Sequence, residues 1–273
     1  MSSIGDIVLS TSFLQSVKTK FPDYKIDFLI KAEFAEIMHR HPLIDNLIIF
    51  EKKTGFKGLI ALGKMLRSND YDMVYDIHSV FRTRVLSFFL RKKFFRKIKK
   101  PRLRRFILFY GYQNFFEKSF SHIKMYHSLL EKTDSFPETK LYLSNEEIEQ
   151  TRSYLLENNI GKNYITIVPG AAWSQKQWSI ENYNNLMMRL IKSFDATIVI
   201  LGAKNDIICD QIIKHDRIIN LKEKTNLRMA MGILHFSQHT IGSDTGLLHI
   251  SEALGTPVTM ILGPTSQETG AKT

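Results

Sequence analysis

The sequence predicts an α/β protein of two domains, each built on a parallel sheet with helices on its faces. Short apolar stretches alternate with stretches of helical spacing along most of the 273 residues, and this alternation is typical of doubly wound sheets. The alternation is interrupted at Asp134–Leu143, where Pro137 marks a connector, and then starts again. A chain of this length is expected to form two domains of ordinary size. We therefore predict domains at residues 1–143 and 144–273.

The first half is predicted to begin with a helix. Apolar residues at helical spacing, including Leu9, Phe13 and Val17, predict a helix over Ile7–Lys20, which Pro22 brings to an end. Strands and helices then alternate, and the predicted elements are, in order, strand Lys25–Ile30, helix Ala32–His39, strand Asn46–Phe50, helix Phe56–Arg67, strand Met73–Ile77 and helix Val80–Leu90.

The second half is predicted to open with a helix over Asn145–Asn158. Acidic residues fill its first turn, which suits the helix dipole, and Asn145 is the predicted N-cap. The elements that follow are strand Tyr164–Val168, helix Ile180–Phe194, strand Thr197–Leu201, helix Ile207–Lys214, strand Arg217–Asn220, helix Leu227–His235, strand Thr240–Ile241, a helix that ends at Leu254, and strand Val258–Leu262.

The two ends of the sequence differ from those of an ordinary doubly wound protein. Such a domain usually opens with an apolar strand that leads into its first ligand-binding turn. Here a small polar turn, Ser2–Asp6, stands first, and the sequence stops soon after Gly263-Pro264-Thr265. We therefore expect that a first strand and a C-terminal stretch lie outside these residues.

Composition is that of a globular cytoplasmic protein. The hydrophobic fraction is 44% and the mean hydropathy is -0.15. We find neither an apolar run of about 18 residues, which a membrane-spanning helix needs, nor a secretory signal. The single cysteine, Cys209, excludes an internal disulfide and a cysteine-based zinc site, and it fits a reducing compartment.

The net charge of +11 comes from one segment. Between Ile77 and Phe116 there is no Asp or Glu, and this window holds twelve of the 38 Lys and Arg residues, which leaves 26 against 27 acidic residues elsewhere. The twelve are Arg82, Arg84, Arg91, Lys92, Lys93, Arg96, Lys97, Lys99, Lys100, Arg102, Arg104 and Arg105.

This basic segment is predicted to dock on an anionic membrane surface. Each cation contributes about 1 kcal/mol there, and interleaved apolar side chains can enter the interface. Those side chains are Phe88, Phe89, Phe94, Phe95, Ile98 and Phe106. A phosphate-rich acceptor or a nucleic acid are the alternative partners.

The stretch Gly-Ser-Asp-Thr-Gly-Leu-Leu-His at residues 242–249 suits a phosphorylated, polyhydroxylated ligand. Thr245 and the amides around Gly246 are predicted at a helix start, where N–H groups and the dipole favour an anion. His249 lies on the same face of the first turn, and Asp244 adds a carboxylate. For His249 the alternative is a histidine packed on its own helix.

Three further positions carry possible chemistry. Asp6 can act as a general base that takes a proton from an attacking hydroxyl, and the alternative is an N-cap, for which Ser2 or Ser3 would also serve. Lys176 follows the small residues Pro169–Ala172 and can neutralise a diphosphate, unless the loop is simply a tight turn. Asp206 can accept hydrogen bonds from a ribose, although an N-cap role is also open.

Several enzyme classes are excluded or disfavoured. The sequence has no Gly-x-Gly-x-x-Gly and no Gly-x-x-x-x-Gly-Lys-Ser/Thr, which argues against a dinucleotide oxidoreductase, a P-loop ATPase and a Rossmann-type epimerase. It also has no Gly-x-Ser-x-Gly, and no His, Asp and Glu spacing that demands a metal.

Taken together, these segments resemble glycosyltransferase family 9, the lipopolysaccharide heptosyltransferases, over almost the whole chain. The matching segments are Ser2–Leu9, Pro22 with Ile26–Leu29, Tyr71–His78, Val168–Ala171 with Lys176-Gln177-Trp178, Gly242–His249, and Ala253–Val258 with Gly263-Pro264-Thr265. The resemblance implies a GT-B architecture, in which two Rossmann-like domains face one cleft. The first domain would bind the acceptor and the second the sugar nucleotide.

The resemblance also implies roles for single residues. Asp6 falls on the family's proposed catalytic base. The donor-binding residues would be Gly170, Lys176, Asp206, Thr225, Asp244, Thr245, Gly246 and His249. We assign acceptor binding to Ser3, Gly5, Arg82 and Arg84. The reaction would invert the anomeric centre and need no metal or other cofactor.

The expected function is the transfer of a heptose, from a nucleotide-diphospho-sugar such as ADP-heptose, to the inner core of lipopolysaccharide. The enzyme would work as a peripheral protein at the cytoplasmic face of the inner membrane, on an anionic sugar-lipid acceptor and without nucleic acid. The alternative is an inactive GT-B fragment that binds polyanions or membranes through its basic segment.

Overall fold

The computed structural model describes residues 3–90, 94–111, 113, 115–117, 120–130 and 135–263, without the side chains of Arg105 and Phe109. The described chain divides into two compact units, one that ends at Glu138 and one that begins at Thr139. The α/β class and the parallel pairing of strands are as predicted.

The described residues of the first unit form five helices and four short strands, with 3-10 turns between some of them. The helices are α1 (Ile4–Lys20), α2 (Gly55–Ser68), α3 (Phe81–Phe89), α4 (Arg102–Gly111) and α5 (His122–His127). The strands are β1 (Asp27–Lys31), β2 (Asn46–Phe50), β3 (Val74–Asp76) and β4 (Phe95–Lys97).

Helix α1 is the central helix of this unit. Eight consecutive residues, Ile7–Leu14, are buried, so the helix contacts the core all round rather than along one stripe. Two of its buried hydroxyls are satisfied locally, because Ser10 donates to Ile7 O at 2.6 Å and Thr11 donates to Val8 O at 2.7 Å. The buried Ser12 hydroxyl donates to Pro137 O near the end of the unit.

The strands of the first unit form two separate parallel pairs. Among the described residues, β1 pairs only with β2 and β3 only with β4. Residues of both β1 and β3, together with the inner face of α1, line a mostly apolar cavity of about 650 Å³.

In the described part of the second unit, which ends at Gly263, four helices cover a five-stranded parallel sheet. The helices are α6 (Asn145–Glu157), α7 (Ile180–Phe194), α8 (Leu227–Phe236) and α9 (Gly246–Ala253). The strands are β5 (Tyr164–Val168), β6 (Thr197–Ile200), β7 (Ile218–Asn220), β8 (His239–Ser243) and β9 (Val258–Ile261), in the order β7-β6-β5-β8-β9.

The core of the second unit lies on both faces of its sheet. Every residue of β5 is buried, as is typical of a central parallel strand. Gly242 of β8 lies so close to β5 that a Cβ there would meet Val168 O at 2.2 Å. The lone Cys209 packs in the same core as Ile198 and Ile200 and is 1% exposed.

Some local predictions are wrong. The N-cap of α6 is Ser144, not Asn145, because the Ser144 hydroxyl accepts from Glu147 N while Glu147 accepts from Ser144 N. The predicted helices over Ala32–His39 and Ile207–Lys214 are 3-10 segments, at Ala32–Met38 and Ile207–Gln211. Elements β4, α4 and α5 were not predicted.

Candidate functional site

The residues predicted to bind the donor share one edge of the sheet of the second unit. Lys176 follows β5, Asp206 follows β6, Thr225 follows β7 and Asp244 follows β8. Because all four strands are parallel, these positions lie beyond the same carboxyl edge. The chain runs outward from β5 to β6 and β7 on one side, and to β8 and β9 on the other. A ligand crevice is expected at this switch between β5 and β8.

Lys176, Asp244 and His249 meet at this switch. Lys176 Nζ lies 2.6 Å from Asp244 Oδ2, and His249 Nε2 lies 3.9 Å from Asp244 Oδ1. Their side chains are 20%, 10% and 10% exposed. The Asp244 carboxylate therefore has an ammonium group and an imidazole close to its two oxygens, at the switch between β5 and β8.

Helix α9 begins at the same place. Thr245 is its N-cap residue, with extended backbone angles of -141° and 161°, and within the described structure its side chain makes no capping hydrogen bond. The first amides of a helix point outward and carry its positive partial charge. This end of α9 is therefore a suitable anion-binding site beside Lys176.

Gly170 and Asp206 bring the loops after β5 and β6 together. Asp206 Oδ2 accepts from Ala203 N at 2.7 Å, and its side chain does not cap the 3-10 segment that follows it. A Cβ on Gly170 would lie 2.2 Å from Asp206 Oδ1. Only glycine leaves room for the carboxylate here, so position 170 fixes where Asp206 sits.

Tyr183, a buried residue that the sequence analysis missed, supports the backbone at the switch between β5 and β8. Tyr183 of α7 hydrogen-bonds Ser243 at 2.9 Å, and Ser243 Oγ lies 3.4 Å from Pro169 O. Burial raises the pKa of Tyr183, so the hydroxyl stays protonated at neutral pH. Trp178 packs edge-on against Tyr183, whereas Trp173 is 65% exposed.

In the first unit, Asp6 is held by two hydroxyl groups. The Ser3 hydroxyl donates to Asp6 Oδ2 at 2.9 Å, and Tyr126 of α5 donates to Asp6 Oδ1 at 3.3 Å. Ser3, rather than Asp6, is the N-cap of α1. Burial, and then the Asp6 charge, raise the pKa of Tyr126 well above its usual value, so Tyr126 remains a donor.

His78 lies beyond the carboxyl end of β3. Asp76 Oδ1 accepts from His78 N at 3.0 Å and from Ser79 N at 2.7 Å, which closes a tight turn with Ser79 at a φ of 49°. Burial, aided by the charge of Lys100, lowers the pKa of His78 to about 4, against the pull of nearby Asp6. Its Nε2 is buried and has no hydrogen-bond partner among the described residues.

Comparison with known proteins identifies the family. Residues 59–271 match the profile of glycosyltransferase family 9 (heptosyltransferase). The chain belongs to glycosyltransferase family 9. It is therefore a glycosyltransferase, as the sequence analysis predicts.

Individual members of family 9 are distant relatives. The chain is 25% identical to the lipopolysaccharide heptosyltransferase 3 of Escherichia coli K12, over 96% of this chain and 80% of the relative. It superposes on a family 9 glycosyltransferase from Veillonella parvula with a TM-score of 0.78 at 18% identity, over 96% of this chain and 79% of that one. For the E. coli heptosyltransferase WaaC with ADP the TM-score is 0.70 at 19% identity, over 97% and 86% of the two chains. The predicted GT-B class is confirmed.

The residues predicted to bind the acceptor lie at two helix starts in the first unit. Ser3 and Gly5 are the N-cap and the second residue of α1, and Arg82 and Arg84 belong to the first turn of α3. Arg82 is half-buried and Arg84 is exposed. The first unit thus presents two cations on the helix that follows the turn of His78.

The basic segment is described in part. Arg91, Lys92 and Lys93 lie outside the described residues, as does the side chain of Arg105. Lys97 and Lys99 are exposed. Arg96 donates to Leu129 O and Arg102 donates to Ser79 O, each at 2.8 Å. These two guanidinium groups are therefore partly engaged in hydrogen bonds within the first unit.

The described residues lack both a metal-binding cluster and a membrane-spanning helix. They contain no group of three His, Cys, Asp or Glu side chains that could hold a metal ion. None of their helices is both long enough and apolar enough to cross a bilayer.

Proposed function

We propose that this protein transfers a heptose from ADP-heptose to the inner core of lipopolysaccharide, with inversion at the anomeric carbon and without a metal. Its family and the named lipopolysaccharide heptosyltransferase support the sugar and the acceptor. The observation that carries the proposal is the cluster of Lys176, Asp244 and His249 beside the start of α9.

The proposed reaction is a single displacement. Asp6 takes the proton from an acceptor hydroxyl, whose oxygen forms a bond to the anomeric carbon. The bond between that carbon and the diphosphate oxygen breaks, and ADP leaves with the electron pair. Positioned carboxylate bases of this kind contribute about 10² to 10⁴ in rate.

The second unit would stabilise the leaving diphosphate. Lys176 and the first amides of α9 offer positive charge where negative charge develops, and they are held in place before the reaction starts. This is the charge that a metal supplies in other transferases, so its presence on the protein supports a metal-free reaction. Asp244 would keep the Lys176 ammonium group aimed at the phosphates and would contact the sugar together with His249.

The remaining donor contacts would be to the nucleoside. Asp206, held against Gly170, would accept hydrogen bonds from the ribose, and Thr225 would lie near the base. Both positions follow strands at the same sheet edge as Lys176, which supports one continuous donor site.

The acceptor would be an anionic sugar-lipid, bound through Ser3, Gly5, Arg82 and Arg84. Cationic side chains draw such a ligand by its phosphate groups. We place the enzyme at the cytoplasmic face of the inner membrane as a peripheral protein. The excess of cations between Ile77 and Phe116 supports this location.

The test of the proposed chemistry is Asp6→Asn. The amide keeps the size of the side chain but cannot take a proton, so transfer should fall by about 10² to 10⁴ while ADP binding stays unchanged. Turnover is followed by ADP release with ADP-heptose and a deacylated lipopolysaccharide core, and binding by calorimetry. The control is Asp23→Asn, at an exposed carboxylate of the same unit.

Two results would contradict this assignment. Turnover retained by Asp6→Asn would remove Asp6 as the base, and lost ADP binding would count against a role for Asp6 that is limited to proton transfer. A protein that binds no ADP and binds only polyanions, with a steep salt dependence, would support the alternative of an inactive binding protein.

A further inference from the structure

Helix α4 presents a row of large apolar side chains on its surface. Leu103, Phe106 and Tyr110 are 71%, 60% and 75% exposed, and their spacing puts them on one face of the helix. The rings of Phe106 and Tyr110 lie 4.7 Å apart. Three bulky neighbours left in water on one helix face are typical of a surface that another body covers.

The exposed apolar set of the basic segment differs from the set that the sequence predicts. Ile98 is 2% exposed and belongs to the core with Leu9 and Phe13. Phe95 packs on the other core cluster, and Phe89 fills the space above Gly63. These three side chains were expected at the interface, and that expectation is wrong because they stabilise the first unit.

Other members of the segment do face outward. Phe88 and Phe94 are 67% and 56% exposed, and Phe115, a few residues after α4, is 54% exposed. Together with Leu103, Phe106 and Tyr110 they place most of the exposed apolar surface of the first unit inside the window from Ile77 to Phe116 that has no acidic residue.

Cations surround this apolar row. Arg102 and Arg104 flank Leu103 on α4, and the exposed Lys97 and Lys99 precede the helix. Arg104 also forms an ion pair with Glu117, whose Oε1 lies 3.6 Å from Arg104 Nη1. Basic and apolar side chains combined on one short helix are the features of a helix that lies in the surface of an anionic membrane.

The same features disfavour the other partners. A second copy of this chain would bring one cationic surface against another, which opposes association. A nucleic acid would bind the cations through its phosphates and stack its bases on the aromatic rings. Leu103, however, is 71% exposed and has no aromatic ring on which a base could stack.

We propose that α4 lies at the boundary between headgroups and acyl chains of an anionic bilayer, with Leu103, Phe106 and Tyr110 inserted and the neighbouring Arg and Lys side chains on the phosphates. The proposal deepens the membrane location given under the proposed function and rests on that location, but not on the transfer chemistry.

The experiment compares two triple variants of the full chain. One is Leu103→Ser, Phe106→Ser and Tyr110→Ser. The matched control is Leu156→Ser, Phe194→Ser and Ile207→Ser, in the second unit, at side chains that are 75%, 64% and 66% exposed. Sedimentation measures the partition of each protein onto vesicles of phosphatidylcholine with phosphatidylglycerol, and onto vesicles of phosphatidylcholine alone.

We expect the α4 triple variant to lose partition onto the anionic vesicles on the order of 100-fold, because three apolar side chains no longer leave water. The control triple variant should bind like the unchanged protein, and none should bind the neutral vesicles strongly. A Phe106→Trp variant should show a blue shift of fluorescence with anionic vesicles beyond that of the two native tryptophans.

Unchanged partition of the α4 triple variant, or an absent blue shift at position 106, would overturn the proposal. The proposal would also be overturned if the unchanged protein bound no vesicles but bound a single-stranded RNA tightly, and the α4 triple variant lost that RNA binding. That result would identify nucleic acid as the partner. Transfer to a deacylated, soluble acceptor separates this proposal from the enzymatic one. The α4 triple variant should retain that transfer, whereas failure of the enzymatic proposal removes it from every form of the protein.

Discussion

At the scale of single residues, the absence of a side chain at Gly170 decides where the Asp206 carboxylate can lie. Gly170 lets the Asp206 carboxylate rest directly against the backbone after β5, and a Cβ would lie 2.2 Å from Asp206 Oδ1. The backbone angles do not require glycine here, since φ is not positive. Space alone explains the glycine, because any Cβ at position 170 would displace the Asp206 carboxylate.

At this position we predict that Gly170→Ala displaces Asp206 and weakens ADP binding about tenfold, the equivalent of losing one hydrogen bond to a charged group. The control is Gly161→Ala, where a Cβ meets nothing within 4 Å. Calorimetric titration with ADP measures both. Equal ADP affinity in the two variants would show that Asp206 takes no part in donor binding.

At the scale of elements, α6 depends on one ion pair with α8. Both carboxylate oxygens of Glu147 accept from Arg228 at 2.6 Å, and Arg228 also donates to Tyr142 O at 3.0 Å. The same Glu147 completes the capping box at Ser144. These contacts, of which the hydrogen bonds from Arg228 have the largest effect, lower the pKa of Glu147 to about 2. The start of α6 is thereby tied to the helix before β8.

We predict that Glu147→Gln lowers the free energy of unfolding of the second unit by about 1–2 kcal/mol at neutral pH, a value reduced for the partial exposure of the pair. The folded pKa lies below the unfolded one, so the stabilisation is complete above about pH 4.5 and is lost as the pH falls toward 2. Urea unfolding across this range measures it. The exposed Glu146→Gln is the control, and a difference between variant and unchanged protein that does not shrink in acid would contradict the ion pair as its source.

At the scale of the molecule, the two units differ in how their strands are joined. The second unit has one sheet of five strands, whereas the described strands of the first unit form two pairs beside a cavity of about 650 Å³. Isolated pairs of strands are marginally stable, and segments with few neighbours open at low free energy.

We therefore predict that the first unit opens before the second. Amides of β1 and β3 should exchange with deuterium faster than those of β5 and β8, and mass spectrometry of peptides from the exchanged chain measures the difference. Helix α1 serves as the internal control, because its buried residues should protect it more than the strands beside it. Equal protection of the strands of both units would show that pairing does not limit opening.

The sequence predicts the strands of the second unit to within two residues at either end, because each one is a short apolar run between turn residues. It misses β4, α4 and α5 for physical reasons. Strand β4 exists through its pairing with β3, and it is too short, at three residues, to show an alternation. Helix α4 does have apolar residues at helical spacing, but they lie among the cations of the basic segment, which the sequence analysis interprets as a docking surface. Helix α5 has only six residues.

The sequence likewise predicts some residues of the candidate site and misses others. Lys176 and Asp244 stand in recognisable loops, and parallel pairing is enough to bring them to one edge. Tyr126 could not be found this way, because its contact with Asp6 joins residues 120 positions apart and nothing in its local sequence marks it.

The burial of Cys209 has a practical consequence. Its thiol is 1% exposed, and burial raises its pKa to about 12, so almost no thiolate forms while the core around it is closed. Since the sequence has no second cysteine, alkylation of this protein at neutral pH occurs at one atom, at a rate governed by how often that core opens. The rate of alkylation of the native protein therefore measures how often the core of the second unit opens.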